Sequence, residues 1–353
     1  MSPTDLSTNV SVSDPQSSPS RPSWQAAGNF LAGILIAAGI AATAFALHLL
    51  PVMDRLSPLI LAVTIGIVFG NTIGVPGFAR AGVTFSMRTL LRVAIVCLGA
   101  QITLPQLLSI GAGGVIVTVA TLLATFFITI ALGRALGVER KLTQLIAAGT
   151  AICGASAIVA TSTTTRASEE DTAYAIACVT LFGTVAMLCY PLVLPLLGLG
   201  LDHYGLWVGA SIHEIAQVAA AAFQVSSDVG EHSMIVKLLR VLLLVPLILC
   251  LSMSEARRRD GTAPSAGRQP FPWFLLGFAA VVGLNSFGVI PADAKSWITS
   301  ASSLLLTMAL AAMGLAANVR KLADKGIRPL VLGGASSLSI AGFSLLLILA
   351  FLN

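Results

Sequence analysis

Charge is what this chain has least of. Asp, Glu, Lys and Arg make up 10% of its 353 residues, against 56% hydrophobic. A soluble domain carries about a quarter charged residues, so this composition cannot cover a water-facing surface. Mean hydropathy is +0.92, and lipid is the solvent the chain is built for. Long polar stretches are also scarce. No gap between the apolar runs is long enough for a soluble domain, and no G-x-x-x-x-G-K-[ST] occurs, so ATP drive would need a partner chain. The five cysteines, Cys97, Cys153, Cys178, Cys189 and Cys250, fall inside apolar runs. Their count is odd and no spacing suits zinc. Free thiols packed as small apolar groups are expected, with no metal and no cofactor. A basic leader is missing too. Residues 1–23 are rich in Ser, Pro, Thr and Asn, which predicts a disordered cytoplasmic tail rather than a secretory signal.

What is present is apolar runs of about 20 residues, uninterrupted. A spanning chain must satisfy its backbone polar groups internally, as helices or as a closed barrel. Runs of this length without alternation select helices. The fold class is therefore all-α and polytopic, with a single transmembrane domain over residues 24–353. Spans are placed at about 25–49, 57–73, 87–103, 109–132, 142–164, 171–197, 204–225, 233–254, 272–290, 296–318 and 328–352, eleven in all. The net charge of +5 fits this map better than it fits a nucleic-acid partner. On the side of the N-terminus lie Arg21, Arg80, Arg88, Arg134, Arg140, Lys141, Arg257, Arg258, Arg259, Arg268, Arg320, Lys321, Lys325 and Arg328. The other side has Arg55, Arg166 and Lys295. Fourteen against three places the N-terminus in the cytoplasm and the C-terminus in the periplasm, since basic loops stay inside.

The sequence also echoes itself. PLILAVTIGIVFGNTIGVPGF (Pro58–Phe78) resembles PWFLLGFAAVVGLNSFGVIPA (Pro272–Ala292) at an offset of 214, aligning Asn71 with Asn285 and Gly74 with Gly288. At 215 the echo continues, Gly99 with Gly314 and Gly111 with Gly326. A competing register pairs Leu90-Leu91-Arg92-Val93 with Leu238-Leu239-Arg240-Val241. Both separate their copies by an odd number of spans, and both therefore predict inverted repeats, a common transporter construction.

Chemistry concentrates in three places. GTAICGASAI (Gly149–Ile158) crowds small and hydroxyl residues mid-span. Close helix packing explains such segments. The alternative is a broken helix, loosened at Gly149 and Gly154, whose second half offers free N–H groups to an anion, with Thr150, Cys153 and Ser156 around it. GASIHEIAQV (Gly209–Val218) puts His213 and Glu214 at mid-span, with Gln217 on the same helical face. Ionisable groups cost about 2.5–3.5 kcal/mol there and are functional candidates by default. Either could exchange a proton near neutral pH and couple transport to a proton gradient. Lys237 and Arg240 lie three apart in span eight, and Arg92 lies in span three, where snorkelling to the interface is an equal reading. Three cations against one carboxylate leave positive charge that a dry interior tolerates poorly, which points to an anionic ligand. A serine hydrolase using Ser156 and His213 needs the two within hydrogen-bond reach, and a passive channel would ordinarily build its pore from repeated subunits; neither is favoured, and no enzymatic role is expected.

These segments, with KLLRV (Lys237–Val241), Pro246 and GLAANVRKL (Gly314–Leu322), resemble the YeiH-type sulfate exporter family of bacterial inner-membrane proteins, from about Leu59 onward. The resemblance implies a fold related to bile-acid symporters and cation/proton antiporters, with two crossed, broken helices, here in spans five and seven, at the substrate site. It implies a secondary transporter that exports a small anion such as sulfate or a sulfonate. The substrate-binding candidates are Thr150, Cys153, Gly154, Ser156, His213, Glu214, Gln217, Lys237 and Arg240. The expected partners are a small anionic solute, membrane lipid and a coupling ion, proton or sodium; a sodium-coupled organic-anion symporter is the alternative, and a homodimer is open.

Overall fold

The computed structural model describes residues 23–51, 53, 56–257, 273–317 and 325–351. All of the expected tail (1–23) but Ser23, most of the Arg257–Arg259 run and Asn318–Leu322 lie outside them. Every regular element among the described residues is a helix. They are α1 (Ser23–His48), α2 (Pro58–Thr72), α3 (Arg80–Phe85), α4 (Leu91–Leu98), α5 (Leu104–Ser109), α6 (Gly111–Ala135), α7 (Arg140–Ala151), α8 (Ala155–Thr165), α9 (Glu169–Leu197), α10 (Leu201–Ser211), α11 (Ile215–Phe223), α12 (Ser227–Leu242), α13 (Leu244–Arg257), α14 (Trp273–Ser286), α15 (Ala292–Ala316) and α16 (Ile327–Phe351). A 3₁₀ turn precedes α3 and a π-helical turn joins it to α4, so Gly77–Leu98 runs as one rod. Capping is local and readable. Ser57, Ser168 and Ser226 each accept a first-turn N–H at the starts of α2, α9 and α12, and Glu169, Glu170 and Asp171 complement the positive end of α9.

Among the described residues seven helices are long and apolar enough to cross a membrane, and α2 and α14 are shorter apolar helices. The two remaining expected spans, five and seven, do not cross. Each is a re-entrant hairpin. Lys141 at the start of α7 donates to the Arg166 carbonyl at the end of α8 (2.9 Å), and Ile158 folds back onto Gly149; the chain enters and leaves on one face. In the second hairpin, α10 runs alongside α12 in the same direction, with Gly205 against Ser233 and Gly209 against Val236. α11 returns the other way, linked to α12 by a short turn, with Phe223 on Gly230. Length explains the reversal. Helices of 12 and 11 residues reach about 16–18 Å, half of a hydrocarbon core about 30 Å thick. The hairpins enter from opposite faces. Thr143 in the first turn of the first hairpin adjoins Gly133 near the end of α6, whereas Leu206 of the second adjoins Gly114 near its start. The correction moves Arg166 to the face of Arg140 and Lys141.

The repeat is real, in the first register. Asn71 donates to the Ala317 carbonyl (2.8 Å), and Asn285 donates to the Ile102 carbonyl (2.9 Å). These are the same bond, at offsets of 214 and 215. The positive-φ glycines match likewise: Gly74 (82°) with Gly288 (69°), and Gly111 (60°) with Gly326 (78°). Hence α2 corresponds to α14, α4 to α15 and α6 to α16. The Leu90–Val93 echo is coincidental, because α4 has its counterpart in α15 and not in α12. At the centre of this frame α2 and α15 touch backbone to backbone: a Cβ on Gly66 or Gly314 would overlap the opposite helix.

Candidate functional site

The hairpin tips, Ile152–Gly154 and Ile212–Glu214, meet deep in the protein. Four helix ends converge there: the C-termini of α7 and α10 and the N-termini of α8 and α11. Free carbonyls at the first pair carry partial negative charge, and free N–H groups at the second carry partial positive charge.

Two buried cations from α12 close the negative pole. Arg240, fully buried, donates through Nε to Ala151 (3.2 Å), through one terminal nitrogen to Gly209 (3.2 Å) and Ile212 (3.1 Å), and through the other to Thr150 (2.9 Å) and Ala151 (2.8 Å). A guanidinium has five N–H donors, and all five are used. Lys237, also fully buried, donates to the carbonyls of Ile152 (2.8 Å) and Ile212 (2.7 Å). The expectation that these cations await an anion is therefore corrected. Their charge is compensated by carbonyl ends that would otherwise be orphaned, and they tie the two tips together. Arg92, the third cation in that balance, is exposed on α4.

The positive pole is different. Glu214 accepts from the Thr180 hydroxyl of α9 (2.9 Å), from the Ala155 N–H at the start of α8 and from the Gln217 N–H in a capping box at the start of α11. It is thus held by the amino ends of α8 and α11, the second half of each hairpin. Its stem lies on Gly154, whose φ of 67° and ψ of −128° suit glycine alone; a Cβ there would come within 2.5 Å of Glu214 Cγ. Gln217 accepts from the Glu214 N–H (3.1 Å) and donates to the Thr180 carbonyl (3.1 Å) and Thr184 hydroxyl (3.3 Å). With those bonds made, Gln217 braces the tip. Glu214, Ala155 and Ile215 are part-exposed, and Ser156, in the first turn of α8, is exposed. This pole opens toward the outside of the bundle.

The remaining candidates flank the tips. His213 is buried, its Nε2 3.0 Å from the Ser337 hydroxyl of α16 and its Nδ1 without a partner. No hydrogen bond joins it to Ser156. Thr150 Oγ1 is buried and unpartnered. Cys153 is buried, its sulfur facing the Ala157 N–H. Sequence reasoning missed Thr180, Thr184 and Ser337. Hydroxyls scattered along apolar helices give no local signal, and only the fold shows which of them face the tips. A small cavity of about 130 Å³, lined by Asp202, His203 and His232 among others, lies at the base of the second hairpin, away from the tips.

A family model described as "Conserved hypothetical protein 698" matches residues 32–333. The chain is 37% identical over 320 residues to a UPF0324 membrane protein of Pseudomonas putida, covering 88% of this chain and 91% of the relative. The chain belongs to the UPF0324 family. Its relatives include the UPF0324 inner membrane protein YeiH of Salmonella typhimurium, 34% identical over 311 residues, 86% of this chain and 89% of that one. The UPF0324 membrane protein PM1461 of Pasteurella multocida is 35% identical over 299 residues, 83% and 87% of the two chains. As a UPF0324 protein the chain is a multi-pass membrane protein.

Proposed function

We propose that the protein is a secondary carrier for a small anion, such as sulfate, a sulfonate or a related oxyanion, which binds at the positive pole of the meeting tips. The observation that carries this reading is the pair of oppositely directed hairpins whose tips meet deep in the protein. Irregular backbone at such depth is tolerated where it is buried in protein or lines a water-filled cavity, and inverted repeats around a central site are the usual frame for alternating access. The anion, rather than a cation, follows from which pole is open. Both amino ends, the Thr180 hydroxyl and the exposed Ser156 lie together, whereas the carbonyl ends are filled by Arg240 and Lys237. A sodium-coupled symporter would hold its cation on carbonyls of that kind, so the same occupancy favours the proton as the coupling ion. An intramembrane serine hydrolase would need Ser156 and His213 paired, and they are not.

The fold also sharpens the expected orientation. With Arg166 returned to the face of Lys141, fifteen basic residues stand against two. The basic face is cytoplasmic in this reading, with the N-terminus inside and the C-terminus in the periplasm. A cysteine at position 166 would then react with membrane-impermeant maleimide only from the cytoplasmic side. The carrier itself is tested by reconstitution into proteoliposomes with labelled sulfate or a labelled sulfonate. Expected is saturable flux that responds to an imposed proton gradient. Flux that does not saturate would make the protein a channel, and flux driven by sodium alone would restore the sodium symporter.

A further inference from the structure

We propose that the Glu214 carboxylate occupies the transported anion's own seat, so that the anion enters only when Glu214 has taken up a proton and swung out, and anion and proton move together. This rests on the carrier reading above and adds its coupling rule. Glu214 accepts three hydrogen bonds at the tips, from Ala155 N, Gln217 N and Thr180 Oγ1. Three donors aimed at one group suit the charged carboxylate, which is acceptor-only; a protonated acid must place a donor of its own. An oxyanion is therefore already bound in the site, and it belongs to the protein. Two helix amino ends and a hydroxyl are also the donors a sulfate or sulfonate would use. Carboxylate and anion cannot share them, because two negative charges in so small a space repel strongly.

Among the described residues no other carboxylic acid faces Glu214. Facing Glu214 from α12 are Lys237 and, behind it, Arg240, both fixed on carbonyls. The first hairpin brings the Cys153 thiol, α9 brings Thr180, and the second tip brings His213, which is turned to Ser337 on α16. α2 carries no ionisable group, and α15 carries Asp293 and Lys295 only in its first turn. Gly154 supplies the room for movement. Glu214 lies across a bare backbone, and its pole is part-exposed, so the side chain can leave without unpacking the bundle. Direction follows from the coupling: an inward proton gradient draws the anion in, and export needs an outward anion gradient large enough to carry protons with it.

The test is sulfate and methanesulfonate binding to purified full-length protein by calorimetry, across the neutral pH range, where both anions keep a constant charge. Competition with one proton predicts that affinity falls about tenfold per pH unit above the titration of Glu214, and that binding takes up about one proton per anion in weak buffer. E214Q should bind with a flat pH profile and no proton uptake. The uptake measurement needs only wild-type protein, so it stands even if E214Q does not fold. Wild-type binding that is independent of pH and proton-silent would overturn the proposal and leave the carrier intact, as would an E214Q profile identical to wild type. No binding of either anion by either protein at any pH would overturn the anion reading and this proposal with it.

Discussion

The two poles of the meeting tips have opposite partial charge and opposite fates. At the carbonyl pole Arg240 and Lys237 are fully buried and seven hydrogen bonds run to five carbonyl oxygens. At the amide pole one carboxylate serves two helix starts, one residue of its seat is a glycine, and the neighbouring Ser156 is exposed. The contrast separates structure from function in a setting where charge alone cannot. Buried charge bonded to several carbonyls at once is fixed, because any rearrangement would strand those carbonyls in a medium that cannot hydrate them. Charge held on a movable stem beside an opening can exchange its partners. Both poles would pass a search for intramembrane ionisable residues, but only one has the freedom to bind and release.

Removing the fixed pole should do the most damage. Arg240→Ala removes five of the seven hydrogen bonds at the ends of α7 and α10, strips Thr150, Ala151 and Gly209 of this donor, and leaves a buried cavity. Breaking a buried ionic network of this kind costs about 3–5 kcal/mol, enough to lose most of the folded protein. Arg240→Lys keeps the charge but not the planar five-donor fork and should fall between. Thermal unfolding and the monodisperse fraction on size-exclusion chromatography read this directly. If Arg240→Ala instead unfolds at the wild-type temperature and loses only anion affinity, the assignment of the poles is reversed.

Gly154→Ala comes next and should separate activity from stability. The added methyl meets a backbone at positive φ, a strain of roughly 1–3 kcal/mol, and it pushes Glu214 off its seat. Displacing a site group by about an ångström can cost on the order of 100-fold in rate. Transport should therefore fall by at least about tenfold while the fold survives, as measured by flux per folded protein in proteoliposomes. Equal transport by Gly154→Ala would mean that Glu214 does not need the glycine shelf.

The fold class, a candidate interruption at Gly149–Gly154 and the repeat, in one of two registers, were legible in the sequence, because each rests on local chemistry: apolar run length, small residues at a break, and glycine and asparagine at fixed offsets. The break before Glu214 was implied only by the family resemblance. What stayed hidden was direction. A span of about 25 residues broken at its centre reads the same whether its halves continue or fold back. The difference lies in the Lys141–Arg166 contact and in the company α10 and α11 keep with α12, all tertiary facts. The same limit misled the charge balance. Counting Lys237 and Arg240 against Glu214 weighs side chains only, and the partners of those cations are backbone carbonyls, which exist in every sequence and matter only where a tip exposes them. Thr180 was invisible for the converse reason: its helix is ordinary, and it acquires a role from what the second hairpin brings to it.

The open pole should yield smaller effects. Thr180→Val removes one of the three donors that seat Glu214, worth about 1 kcal/mol. A looser carboxylate competes less, but the anion that replaces it loses the same donor, so the two losses oppose and anion affinity above the titration of Glu214 should change by less than one hydrogen bond's worth. Ser156→Ala removes a donor from the anion alone and should weaken binding by roughly 3–10-fold, the worth of one hydrogen bond, with no change in unfolding temperature. Thr163→Ala is the control. It is exposed on α8, two turns further along the helix, and its hydroxyl is spent on the Val159 carbonyl (3.0 Å). Calorimetric titration of the three variants distinguishes the roles. If Ser156→Ala binds like Thr163→Ala, the anion does not reach the first turn of α8, and the opening at the amide pole serves Glu214 and its proton only.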